Sequence, residues 1–220
     1  MDIEILYEDN EILAVNKPEG LLSIPGREGE ALPSLLALLT DKAGKKLFVV
    51  HRLDRPVSGA VLFAKNEAAH RELCMAFEDR KVEKHYLALV HGQFESFSGT
   101  INKPLREFGS GRVGVDPVNG KPCVTSYFVQ EKLYGYSYLD VELITGRRHQ
   151  IRAHLYSIGH PLVGDPEYGD GVQQARYTRL MLHSHTIKVP RLGRKAIEIT
   201  AQPPESFSSV IKQLRTCGAI

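Results

Sequence analysis

Val50-His51-Arg52-Leu53-Asp54-Arg55-Pro56-Val57-Ser58-Gly59 is a charged, irregular stretch set between two apolar runs, Leu47 to Val50 and Ala60 to Lys65. Both runs read as strands, and only loop chemistry separates them. Two strands therefore follow one another without a crossover helix, and the pattern continues outward. Upstream, Ile3 to Tyr7 and Ile12 to Asn16 flank Glu8-Asp9-Asn10-Glu11 and read as a β-hairpin. Lys17-Pro18-Glu19-Gly20 stops the second of these strands, and Pro25-Gly26 marks a loop. Residues 33 to 42 have a leucine-rich helical pattern, with Pro33 placed in the first turn. Downstream, Asn66 is a good N-cap for a helix from Glu67 to about Arg80, whose apolar face is Ala69, Leu73, Ala76 and Phe77.

His85 to Val90, Cys123 to Val129 and Tyr136 to Ile144 read as further strands. A helix is expected from about Arg147 to Ile158, closed by Gly159. Leu180 to Val189 and Lys195 to Ala201 are late strands, and Ser206 to Arg215 is a last helix. Arg106 to Val124 holds four glycines and two prolines, and reads as a long surface loop or a distorted hairpin. Strands outnumber helices and the two do not alternate, which disfavours a doubly wound parallel sheet. The expected class is α+β, a mixed or largely antiparallel sheet with flanking helices.

The 220 residues suffice for one large domain, or for two small subdomains sharing a core. Hydrophobic residues make up 42%, which excludes global disorder. Neither a signal peptide nor a membrane span is visible, since the longest apolar runs fall far short of the ~18 residues that a spanning helix needs. Three widely spaced cysteines suit a reducing cytoplasm and argue against a disulfide framework. Lys plus Arg is 28 against 26 for Asp plus Glu, so net charge says little and distribution says more. Basic residues crowd at Arg80-Lys81-Lys84, at Arg147-Arg148-Arg152 and at Arg191-Arg194-Lys195. The plain reading of each is a solvated surface patch.

Three segments combine groups that chemistry could use. In an extended Arg52-Leu53-Asp54, the guanidinium and the carboxylate point to one side while Leu53 can anchor in the core. On physical grounds alone, a loop aspartate capping local amides is the simpler reading. Thr145-Gly146-Arg147-Arg148-His149-Gln150-Ile151-Arg152 lies at a helix start, where free amides favour anions. Arg152 falls beside the Ile151–Leu155–Ile158 stripe and calls for a partner such as an aspartate; the alternative is a snorkelling surface arginine. In Lys84-His85-Tyr86, an aromatic ring beside positive charge suits stacking on a base, although a tyrosine packed in a half-buried strand is the default reading of the segment alone. The nine histidines show no metal-ligand spacing. His183 and His185 share one strand face, His149 and His154 are a poor helical pair, and neither Cys-x-x-Cys nor His-Glu-x-x-His occurs. No metal is expected.

Taken together, these segments resemble the RluA family of pseudouridine synthases over nearly the whole chain. His51-Arg52-Leu53-Asp54 with Ser58-Gly59 is similar to the motif around that family's catalytic aspartate. Lys84 and Tyr86 match its lysine–aromatic segment, and Thr145-Gly146-Arg147, His149-Gln150 and Arg152 match its basic motif. Asn16-Lys17-Pro18 with Gly20 matches its N-terminal signature, and Gly164-Asp165 and Leu182-His183 match later landmarks. Two positions depart from the pattern. Arg148 stands where a small polar residue is expected, and Val57 where threonine is usual.

The resemblance implies a bent mixed sheet with flanking helices and a central RNA cleft. It implies a cofactor-free isomerase that turns selected uridines of structured RNA into pseudouridine. Asp54 would be the catalytic carboxylate, as a nucleophile or as the base that starts glycal formation, with Arg152 favouring its ionised form. Tyr86 would stack on the target uracil and serve in removing the C5 proton. Arg52 would hold the place of the flipped base, and Leu182 would pack against that base or Tyr86. Lys84, Arg147, Arg148 and His149 would complete the substrate contacts. A single catalytic domain without an S4-type RNA-binding module is expected, acting as a cytoplasmic monomer on stem-loops of ribosomal RNA, transfer RNA or both, with neither DNA nor membrane as partner. Two other classes are a catalytically inactive RNA-binding or ribosome-assembly protein on the same fold, and a base-releasing glycosidase, whose usual pair of acids is not evident near Asp54.

Overall fold

The computed structural model describes residues 2–26 and 32–217. The chain forms β1 (Glu4–Glu8), β2 (Ile12–Lys17), α1 (Leu35–Ala43), β3 (Phe48–Val49), β4 (Ser58–Ala64) and α2 (Glu67–Glu78). It continues through β5 (Glu83–His91), β6 (Ser98–Asn102), β7 (Leu105–Glu107), β8 (Val113–Val115), β9 (Val124–Leu133), β10 (Tyr136–Leu143), α3 (Gln150–Ser157) and α4 (Gly171–Gln174). Then come β11 (Leu182–Arg191), β12 (Arg194–Thr200) and α5 (Glu205–Cys217). This is the expected α+β composition, and it divides into two compact units, Met1–Lys84 with Ser184–Gln202 and His85–His183 with Pro203–Ile220. Among the described residues no helix is long and apolar enough to cross a membrane.

In the first unit β1 pairs antiparallel with β2, and β2 with β4. β4 neighbours β11, and β12 folds back antiparallel on β11. β4 is buried along its whole length, which is why its sequence is a continuous apolar run rather than an alternating one. α2 lays Ala69, Leu73 and Ala76 against Ile12, Ala14, Leu62 and Ile187 of the strands. The expected Asn66 cap is present, its side chain accepting the Ala69 N–H at 2.9 Å. α1 begins two residues later than the sequence pattern suggests. Ser34 is its N-cap, so Pro33 lies ahead of the helix and not in its first turn.

In the second unit the order β5-β10-β9-β6 is antiparallel throughout. α5 covers one face with Phe207 and Ile211, packed with Leu87, Leu89, Val163 and Met181. The segment read as loop or distorted hairpin is a hairpin, β7 paired with β8. It is not merely superficial: Leu105, Val113 and Cys123 are buried with Ala153 of α3 and Tyr168. α3 starts at Gln150, three residues later than expected, because His149 takes a left-handed conformation with φ 50°. Gly159 follows its end with φ 84°, as the sequence suggests.

The basic clusters are not all solvated patches. Arg191 has a side chain only 4% exposed, bonded to Asp9 at 3.1 Å and to Glu11. Lys84 and Arg152 are buried as well. Burial opposes the charge of Asp9, but the Glu11 and Ile12 amides, the Tyr7 hydroxyl and Arg191 outweigh it and lower its pKa to about 2. A carboxyl with a depressed folded pKa stabilises the fold above its unfolded pKa, and this contribution is lost as pH falls through the folded value. Asp9→Asn should therefore be less stable than the parent at neutral pH, with the gap closing between about pH 4 and about pH 2, as urea midpoints across that range would show.

At Gly59 the backbone admits only glycine. Gly59 has φ 117°, and a Cβ there would lie 2.2 Å from the Ser184 carbonyl oxygen. Gly59→Ala combines a strained dihedral with a backbone collision and should lose roughly 2–4 kcal/mol. Gly171, with open space around it, should tolerate alanine with a change within about 0.5 kcal/mol. Chemical denaturation of the two variants checks both values.

Candidate active site

Asp54 sits half-exposed between a buried Leu53 and an exposed Arg55. Leu53 is the core anchor that the alternation requires, while Arg52 faces solvent. The Val57 N–H donates to the Asp54 carbonyl at 3.0 Å, so a tight turn follows the carboxylate. His51 fixes the stretch from its other side. Its ring stacks on Phe77 at 5.0 Å, and its Nε2 accepts the Leu62 N–H of β4 at 3.0 Å. Desolvation, with the charge of Lys84 second, pushes its pKa down to about 3, as an imidazole that must stay neutral to accept requires.

The Asn16-Lys17-Pro18 signature has a physical role in the same unit. Lys17 is fully buried, and its ammonium donates to the carbonyls of Pro18 (2.9 Å), Leu21 (2.8 Å) and Arg55 (3.2 Å). A buried cation is tolerable here because several carbonyl dipoles solvate it. Lys84, expected among the substrate contacts, is buried with its amine 5.7 Å from the centre of the Phe77 ring, and burial lowers its pKa.

The other expected residues belong to the second unit. Tyr86 of β5 and Leu182 at the start of β11 are both buried. Arg147 and Arg148 are exposed, and Arg148, the departure from the family pattern, is ion-paired with Glu107 of β7. His149 is buried, with Nδ1 3.3 Å from the Tyr168 hydroxyl and 3.6 Å from Glu167. Gln150 explains the spacing of Thr145-Gly146-Arg147 before it. Its Oε1 accepts from the Thr145 hydroxyl and the Arg147 N–H, and its Nε2 donates to Val124 and Thr125. One amide thus fixes the entry to α3.

Arg152 finds its aspartate thirteen residues later. Its Nε and Nη2 meet the two oxygens of Asp165 at 2.8 and 2.7 Å, and Nη2 also meets Glu167 at 2.9 Å. Both members of the fork are buried, at 1% and 0% exposure. Burial opposes the charge of Arg152, yet the hydrogen bonds and charges of Asp165 and Glu167 outweigh it and raise its pKa further. Asp165 also accepts the N–H groups of Glu167 and Tyr168. Gly164 before it has φ 72°, and a Cβ there would meet the Arg179 carbonyl at 1.9 Å. Sequence reasoning marked Gly164-Asp165 only as a landmark and missed Glu167 and Tyr168. The available signal was the need of a stripe-edge arginine for a carboxylate.

Residues 11–157 match the family model described as RNA pseudouridylate synthase. The chain belongs to this family. Like its RluA-type members, this pseudouridine synthase is an isomerase acting on RNA. It is 36% identical to the RNA pseudouridine synthase YlyB of Bacillus subtilis over 99% of this chain and 75% of that one. It is also 36% identical to the dual-specificity RNA pseudouridine synthase RluA of Haemophilus influenzae, over 85% of this chain and 86% of that one. Among solved structures it is similar to human RNA pseudouridylate synthase domain containing 1, with a TM-score of 0.80 and 28% identity, covering 97% of this chain and 95% of that one.

Of the residues expected at the site, Arg52, Asp54 and Lys84 lie in the first unit, and Tyr86, Arg147, Arg148, His149, Arg152 and Leu182 in the second. Among the described residues no group of three or more His, Cys, Asp or Glu side chains could hold a metal ion. The fork on Arg152 yields a graded prediction. Asp165→Asn removes the buried countercharge and should lower unfolding stability by roughly 3–5 kcal/mol. Glu167, whose side chain is 41% exposed, should lose about 1 kcal/mol or less as Glu167→Gln. Urea unfolding of both variants tests the ranking.

Proposed function

We propose that this synthase modifies particular uridines in stem-loops of ribosomal RNA, transfer RNA or both, with Asp54 as its catalytic carboxylate. The reaction breaks the bond from C1′ of the ribose to N1 of uracil and joins C1′ to C5. The C5 proton leaves and N1 takes up a proton, so atoms and electrons balance without a redox partner or a leaving group. Asp54 begins the exchange either by attack at C1′ or by taking a sugar proton, and both routes require the ionised carboxylate.

The observation that carries the assignment is the setting of Asp54. Asp54 is half-exposed, while Leu53 and Arg55 on either side are fixed by hydrogen bonds to residues 17–23. A group held in this way is preorganised for a reacting atom brought to it. Arg152, a permanent cation, favours the ionised form of the site. Tyr86 stacks on the uracil, Leu182 packs against the base or Tyr86, and exposed Arg52 fills the space that the flipped uridine leaves. Arg147 and Arg148 meet phosphates, and binding weakens with salt accordingly. The enzyme works as a monomer in the cytoplasm, a setting that suits the free thiols of Cys74 and Cys123.

Asp54→Asn should abolish turnover while leaving RNA binding intact. Tritium release from a stem-loop labelled at uridine C5 measures the first, and filter binding the second. Release at an appreciable fraction of the parent rate would remove Asp54 from this role.

A further inference from the structure

The segment Leu21-Leu22-Ser23 does something for Asp54 that the family signature does not name. Ser23 is buried at 3% exposure. Its hydroxyl donates to the Leu53 carbonyl at 2.8 Å and accepts the Leu53 N–H at 3.1 Å. One oxygen therefore satisfies both backbone polar groups of the residue before the carboxylate, as a neighbouring strand would. On the other side, the Gly20 N–H donates to the Arg55 carbonyl at 2.9 Å and Arg55 Nε donates to the Gly20 carbonyl at 3.0 Å. Asp54 thus lies between two residues, both tied to the same short segment.

That segment is itself fixed. The first two amides of α1 donate to it, Leu35 N–H to the Leu22 carbonyl at 2.7 Å and Leu36 N–H to the Ser23 carbonyl at 3.2 Å. These are amides that a helix start leaves without an internal partner, so the helix end grips the segment rather than water. Connection then runs from α1 through the Ser23 backbone and hydroxyl to Leu53, and so to the Asp54 backbone. Ser23 is the one side chain in this relay, and removing its hydroxyl would leave a buried N–H and C=O without the partners described.

We propose that Ser23 is a positioning residue for Asp54, its hydroxyl setting the backbone from which the carboxylate projects. This rests on Asp54 being the catalytic group. Displacement of a reacting group by about 1 Å can lower a rate by about 10²-fold. A change in placement, unlike a loss of substrate contacts, acts on the chemical step and not on RNA affinity.

The test compares Ser23→Ala, Ser23→Thr and Asp54→Asn in the full chain, with single-turnover tritium release at saturating enzyme, filter binding of the same stem-loop, and thermal melts. Ser23→Ala should turn over ~10–100-fold more slowly, with RNA affinity within about twofold of the parent. Ser23→Thr, which keeps the hydroxyl, should regain most of the rate. Folded Ser23→Ala working at the parent rate, Ser23→Thr as slow as Ser23→Ala, or a loss confined to RNA affinity would each overturn the inference. If Asp54→Asn is inactive and Ser23→Ala is fully active, only the positioning role falls. If Asp54→Asn turns over, the reading of Asp54 fails first and takes this inference with it.

Discussion

A guanidinium at 1% exposure cannot stand alone in a protein interior, and much of the second unit is arranged around that of Arg152. Asp165 answers it with a two-pronged contact, the geometry in which arginine and a carboxylate bind most strongly. To present both oxygens, Asp165 sits after a glycine and takes two further amides from Glu167 and Tyr168. The Tyr168 ring lies 5.0 Å from the guanidinium centre, and its hydroxyl closes a pair of bonds with the Val113 backbone. The β7–β8 hairpin, α3 and the loop after it are thereby held by a single buried charge. Among the described residues, every buried side-chain nitrogen or oxygen has a partner.

Charge accounting explains why composition is a poor guide to this protein as an RNA binder. Lys17, Lys84, Arg152, Arg179 and Arg191 are all buried. Each has carbonyl, carboxylate or aromatic partners within its own unit. The cations left for phosphate are fewer than the sequence total suggests, and exposed Arg52 and Arg147 stand among them. A near-neutral net charge thus conceals a division between cations that build the fold and cations that can meet a ligand.

Much of the architecture was legible because its signals are local. The apolar run of β4, the Asn66 cap and the glycine after α3 each depend on a few adjacent residues, and each lies where the pattern put it. The motif residues of the site were legible by resemblance. What was not legible depends on distance in the chain. No period in the sequence links Ser23 to Leu53, Lys17 to Arg55, or Arg152 to Glu167, since each pairing is chosen by tertiary packing. The burial of Lys84 was hidden for the same reason, because a lysine reads as solvated until Phe77 and His51 are known to cover it. His149 shows a subtler limit. Helical spacing extended back to Arg147, and only a left-handed residue, rare outside glycine and asparagine, ended it.

The chain passes between its two units at Lys84–His85, again within β11 at His183–Ser184, and a third time at Gln202–Pro203. Neither unit is therefore a continuous stretch of sequence. The first cannot complete its sheet until residues 184–202 are made, and the second gains Phe207 and Ile211 only from the last helix. During synthesis, β4, the strand that follows the Asp54 segment, waits for its β11 partner more than a hundred residues downstream. Such long loop closures slow folding and leave apolar edges exposed in the interval. A ribosome pausing between the second and third passages would hold a chain with one unit unfinished and the other without its covering helix. Here lies the strongest reason to expect this enzyme to depend on chaperones while it is being made.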